Sequence, residues 1–79
     1  MTIGAGLVAL AAGLAVAIAA VGSATAQGKT AVAALDAIWR QPDAAGDVRG
    51  AMMLALAFQE ALTIFVMLVA LMLALKVTA

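Results

Sequence analysis

Residues 54–75 read LALAFQEALTIFVMLVALMLAL, and Glu60 is the only charged residue among them. A helix needs about 20 apolar residues to cross the bilayer core, so this run is long enough to span. An acid near the centre of such a helix costs at least ~2.5 to 3.5 kcal/mol on insertion scales. Ionisable residues at that depth mark ion or substrate pathways, so Glu60 is a candidate functional residue.

Working outward, the apolar run extends over residues 51–75, broken only by Gln59, Glu60 and Thr63. Lys76 ends it by reaching toward the interface. Upstream, Arg40-Gln41-Pro42-Asp43 is the one clear break in helical character. Pro42 disfavours helix at Gln41 and removes a backbone donor. Asp43 or Asp47 is placed to cap the helix that follows. Before the break, residues 3–26 carry no charge and form a second run able to span. Its polar residues, Ser23 and Thr25, can each return a hydrogen bond to a carbonyl of their own helix. TAVAALDAIWR, residues 30–40, continues the helix out of the bilayer. Asp36 stands four residues before Arg40, the favourable order for a helical ion pair. Trp39 suits the membrane–water interface. The fold class is therefore an all-α membrane protein: a two-transmembrane-helix hairpin with a short polar loop. The single unit, residues 1–79, divides into helix 1 over about 3–39, a loop over about 40–46 and helix 2 over about 47–77.

Composition agrees with this class and excludes others. The chain has 79 residues, 68% hydrophobic and 10% charged, too apolar for a soluble domain of its size. So short a chain gains stability by packing with copies of itself or with partners. With no cysteine or histidine, it has no disulfide, thiol catalysis, zinc site or haem attachment. Four basic residues balance four acidic ones, which leaves no basic patch for nucleic acid. Gly28-Lys29-Thr30 resembles the end of a phosphate loop, but the glycine required five residues earlier is Ser23. One titratable group in the spans, with no nucleophile–base pair, argues against independent enzymatic activity.

Lys29, Arg40 and Arg49 flank the turn, whereas Lys76 alone lies near a terminus. The excess of positive charge puts the loop in the cytoplasm and both termini outside, in a multi-pass chain. Ala24-Thr25-Ala26 followed by Gln27 resembles a signal-peptide cleavage site, but no Lys or Arg precedes position 29. The first run is therefore expected to remain as an uncleaved helix.

Helix 1 carries small residues at alternate positions: Gly13, Ala15, Ala17 and Ala19, then Gly22, Ala24, Ala26 and Gly28. Positions i and i+4 share a face, and i+2 lies nearly opposite. The pattern makes two small-residue flanks, each permitting close helix approach. A neighbour on each side suits a closed ring.

Gln59, Glu60 and Thr63 cluster on helix 2. The midpoint between Gln27 and Glu60 falls in the turn, so folding the hairpin brings these two side chains level. Desolvation raises a carboxyl pKa, by up to ~3–5 units on full burial. Such an acid is neutral against lipid and ionises on meeting water or a fixed cation, as a proton carrier does. A purely structural acid that glues helices by hydrogen bonds is the alternative, and Gln or Ser would serve that role at lower cost.

These residues resemble the c subunit family of the F-type ATP synthase rotor. The resemblance runs over about residues 13–75. It rests on Gln27-Gly28, on Ala37-Ile38-Trp39-Arg40-Gln41-Pro42-Asp43, on Arg49-Gly50 and on residues 54–65 around Glu60. It implies a homo-oligomeric ring with helix 1 inside and helix 2 outside. Glu60 would carry the ion and exchange it through the neighbouring a subunit, whose arginine favours the ionised form. Arg40, Gln41, Pro42 and Asp43 would contact the central-stalk subunits, gamma and epsilon. Membrane lipids would surround the ring, and no cofactor is implied. The chain departs from the family in four respects. Its helix 1 pattern is mostly alanine, Trp39 replaces a small residue, and Phe65 stands where many members have tyrosine. An Asn-Pro near the C-terminus is missing.

The transported ion is expected to be H+. Sodium needs several oxygen ligands. Sodium-type members of the family add a hydroxyl directly after the carboxylate and a tyrosine five positions on, where this chain has Ala61 and Phe65. Gln27, Glu60, Gln59 and Thr63 are the candidate ion-binding residues, and the oxygen of Gln59 keeps Na+ as the alternative. A small hole-forming, holin-like hairpin is the alternative of a different class; it has no need of an acid level with a glutamine.

Overall fold

A computed structural model describes residues 2–78. It contains two long helices joined by a tight turn. Helix α1 is Ile3–Arg40, and α2 is Ala45–Thr78. Thr2 caps α1 by accepting a hydrogen bond from the Ala5 N–H at 3.0 Å. The helices lie side by side in a rod with principal extents of 59 × 16 × 9 Å. Both are long and apolar enough to cross a membrane.

The connection is shorter than the sequence leads one to expect. Arg40 is still helical, and a single 3-10 turn, Pro42–Ala44, leads into α2 at Ala45 rather than at 47. Proline explains the compactness. Gln41 precedes Pro42 and is held out of the helical region at φ −136°, ψ 80°. Its N–H still closes α1 on the Ala37 carbonyl at 2.9 Å, and its own carbonyl accepts from the Ala44 N–H at 3.0 Å. Pro42 loses nothing at the first position of the turn, where its missing N–H would have no partner. Asp43 lies inside the turn and Asp47 in the first turn of α2, so neither stands before the helix as a cap. Asp47 instead sets its charge against the positive end of α2.

The contact between the helices follows an eleven-residue period. The least exposed positions of α1 include Ala12, Val16, Ala19, Ser23, Gln27, Thr30 and Ala34, spaced by steps of four, three, four, four, three and four. Ala12, Ser23 and Ala34 are the buried ones. On α2 the matching stripe includes Met52, Ala55, Gln59, Thr63, Val66, Ala70 and Ala74. Eleven residues in three turns is 3.67 per turn, close to the natural 3.6, so each stripe stays in line with its partner. Buried Ala12, Ala34 and Ala70 let the two backbones approach closely.

The same stripe explains what stays outside. Gly13, Ala15, Ala17, Gly22, Ala24 and Gly28 are exposed in the single hairpin, while Ala19 and Ala26 are half-buried toward α2. A Cβ added at Gly13, Gly22 or Gly28 would meet open space. Packing within one hairpin therefore does not call for these glycines.

Candidate ion-binding site

The α1 stripe turns polar for three consecutive positions, Ser23, Gln27 and Thr30. They face Gln59, Glu60 and Thr63 near the middle of the apolar run of α2. Gln59 and Thr63 belong to the α2 stripe, whereas Glu60 comes one residue later. One residue is about 100° around a helix, which carries Glu60 out of the interface to the exposed flank.

Gln27 bridges the two helices at this level. Its Nε2 donates to Glu60 Oε2 at 2.7 Å and to Ser23 Oγ at 2.8 Å. The Ser23 hydroxyl in turn donates to the backbone carbonyl of Gln59 at 3.1 Å. The equal depth of Gln27 and Glu60, expected from counting along the two arms, is thus met by direct contact. Ser23 does not return its hydrogen bond to its own helix. Thr25 does so, donating to the Val21 carbonyl at 2.8 Å.

A second polar group lies deeper between the helices. Gln59 Nε2 donates to Thr30 Oγ1 at 2.9 Å, and that hydroxyl donates to the Ala26 carbonyl at 3.0 Å. Gln59 Oε1 and Thr63 Oγ1 are buried without a hydrogen-bond partner. The four candidate residues therefore divide. Gln27 and Glu60 meet on the flank, and Gln59 directs its amide inward to Thr30. The Thr63 hydroxyl makes no hydrogen bond to Glu60.

Ser23 and Thr30 were not among the candidates read from the sequence. Their spacing was the available signal: Ser23, Gln27 and Thr30 fall at i, i+4 and i+7, a single helix face. Among the described residues, no group of three or more His, Cys, Asp or Glu side chains comes together to hold a metal ion.

Around the site the surface is apolar. Phe58, Leu62 and Phe65 on α2 are all well exposed. A carboxyl between such neighbours in a membrane span faces hydrocarbon unless another protein covers it. Its one polar partner here, the Gln27 amide, donates both to an ionised carboxylate and to the carbonyl oxygen of a neutral acid.

At the far end, the turn presents Arg40, Gln41, Pro42 and Asp43, all exposed. Arg40 Nε pairs with Asp36 Oδ2 at 3.2 Å, the i,i+4 pair expected. Both side chains are largely in solvent, so the pair contributes about 0.3–0.5 kcal/mol.

The chain is similar to known proteins over most of its length. Residues 10–73 match the family model of the ATP synthase C subunit. The chain is 53% identical over 62 residues to the chloroplastic ATP synthase c subunit of Diacronema lutheri, with 78% of this chain and 75% of the relative covered. It is 52% identical over 62 residues to the chloroplastic c subunit of Galdieria sulphuraria, with the same shares covered. It is 53% identical over 64 residues to the ATP synthase c subunit of a Synechococcus species, with 81% of this chain and 79% of that one covered. With two membrane-spanning helices in a hairpin, and a family match over the whole region that holds the turn and Glu60, the chain belongs to the c subunit family of ATP synthases.

Proposed function

We propose that this chain is the ion-translocating rotor-ring subunit of an F-type ATP synthase, with Glu60 as the ion-carrying group. Family membership supports the rotor role and assembly in a ring. The observation that carries the site assignment is the 2.7 Å contact between Gln27 Nε2 and Glu60 Oε2 on the exposed flank of the hairpin. The carboxyl is held in place by one donor and remains open on its other side. It is neutral while it faces hydrocarbon, because an unpaired charge there is expensive. It releases its ion on meeting water or a cationic partner such as an arginine of the neighbouring a subunit. Ring rotation would couple this exchange to ATP synthesis, and the chain would act as a component of the complex without catalysis of its own.

The ion is read as H+. Ala61 and Phe65 bring no side-chain oxygen to the carboxylate. The Gln59 amide is turned to Thr30, and Gln27 presents a donor rather than a ligand. The exposed tip, residues 40–43, would meet the central-stalk subunits on the cytoplasmic side of a bacterial inner membrane. The relatives named above include chloroplastic proteins.

Carbodiimide labelling of the purified oligomer, read by mass spectrometry across pH, tests this reading. Such reagents attack a protonated carboxyl in an apolar setting. Labelling confined to Glu60, fading as pH rises and unaffected by millimolar sodium, is expected. Protection by millimolar sodium would overturn the ion. Absence of labelling at every pH would overturn the carrier role.

A further inference from the structure

We infer that Ser23 is a specificity-determining residue: its hydroxyl locks the Gln27 amide with the NH2 toward Glu60, and so favours a proton over sodium. The inference rests on the ion-carrying reading of Glu60.

Counting donors orients the amide. Ser23 has one hydroxyl proton, and its Oγ lies 3.1 Å from the Gln59 backbone carbonyl. A carbonyl only accepts, so the proton is committed there. The Ser23 oxygen must then accept from whatever else it touches. The other contact is the Gln27 side-chain terminus, at 2.8 Å. The atom accepted from is therefore the amide nitrogen. This same nitrogen lies 2.7 Å from Glu60 Oε2. The group presented to the carboxylate is thus a donor, and the assignment follows from the network rather than from the shape of the amide.

The consequence concerns which ion fits. A carboxylate facing N–H donors keeps its lone pairs engaged and accepts a proton on its open oxygen. A sodium ion needs oxygens directed at it. Gln27 supplies one only if its amide turns over and presents Oε1. That would set Oε1 against Ser23 Oγ, and one hydroxyl proton would have to serve two acceptors. One hydrogen bond would go unmade, which is worth about a tenfold change in an equilibrium. Ser23 is buried between the helices, at 8% exposure, which limits replacement of the missing donor by water. Thr25 lies two positions on and is tied to Val21 in its own helix, so it provides a control that leaves the network intact.

The test uses the intact detergent-solubilised oligomer and sodium chloride as the probe. In Ser23→Ala, the sodium concentration that half-protects Glu60 from carbodiimide should fall about tenfold. Ser23→Thr, which keeps the hydroxyl, and Thr25→Ala should both stay at the unsubstituted value. A half-protection value unchanged in Ser23→Ala would overturn the inference, and so would one that Ser23→Thr lowers equally. A second readout does not depend on ion transport. The dipolar coupling between 15Nε2 of Gln27 and 13Cδ of Glu60, measured by solid-state NMR, should survive sodium in the unsubstituted chain and weaken with sodium in Ser23→Ala. Persistence of that coupling in Ser23→Ala with sodium present would overturn the lock while leaving the carrier reading of Glu60 standing. Failure of Glu60 to label in the unsubstituted chain would instead remove the carrier reading, and the selectivity role with it.

Discussion

At the scale of single residues, the difference between Gln59 and Glu60 is one step along a helix. That step puts an amide inside the hairpin and a carboxyl on its flank. Gln59 makes one side-chain hydrogen bond, to Thr30, and leaves its Oε1 buried without a partner. Removing it loses a bond worth about 0.6 kcal/mol in a membrane protein. It also relieves an unsatisfied buried oxygen, a penalty of about 1–3 kcal/mol. Gln59→Leu should therefore leave the hairpin as stable as before or stabilise it by up to about 2 kcal/mol, in denaturant titrations followed by circular dichroism. A loss of more than ~1 kcal/mol would mean that Oε1 has a partner after all. Glu60 and Gln27 were legible in the sequence because charge and amide stand out in an apolar run, and equal counting from the turn makes them level. Ser23 and Thr30 were not, because hydroxyls in a membrane helix commonly bond back to their own carbonyls, as Thr25 does. Only the eleven-residue stripe separates a Ser that faces α2 from a Thr that does not.

At the scale of elements, each helix is defined by what its stripe can bring close. Alanine at Ala12, Ala34 and Ala70 sets the distance between α1 and α2. Ala34→Leu forces extra volume into that contact and should destabilise the hairpin by about 1–3 kcal/mol. Leu35→Ala, at a position 65% exposed, should cost under about 0.5 kcal/mol in the same titration. Equal effects at the two positions would contradict the assigned face. The two spans were readable from hydropathy and length. The length of the turn was not, because Pro42 signals a break without saying how short it is. A seven-residue loop was expected over residues 40–46, and a 3-10 turn of three residues, Pro42–Ala44, suffices. Arg40 stays helical through its bonds within α1, including the pair with Asp36. Asp47 could be read equally well as a cap or as a first-turn acid, and only the position of Ala45 decides it.

At the scale of the whole molecule, a hairpin 59 Å long exceeds the ~40–45 Å of a bilayer with its headgroups, so the rod does not fit wholly within the membrane. Trp39, 84% exposed, lies just before the turn, where an indole ring at the interface would anchor the depth of the rod. A single hairpin buries very little: Ala12, Ala34, Ala70 and Ser23 are its buried residues among those described. Stability must come from packing between copies, and the glycines left in open space are on the surface available for it. Gly22→Leu should therefore keep the hairpin helical while shifting the oligomer toward monomer, as read by native mass spectrometry. An oligomer of unchanged mass and stability would show that this face lies outside the contact.

The proposed function turns on Glu60 carrying the ion. The most direct test is ATP-driven proton uptake by vesicles holding the complete ATP synthase assembled with Glu60→Gln. The amide replaces the carboxyl at nearly equal size and keeps a hydrogen-bonding partner for Gln27, so the hairpin and the oligomer should persist. Proton uptake should fall to the background of vesicles without the complex. Uptake retained at an appreciable fraction of the unsubstituted rate would contradict the assignment and put the ion path elsewhere.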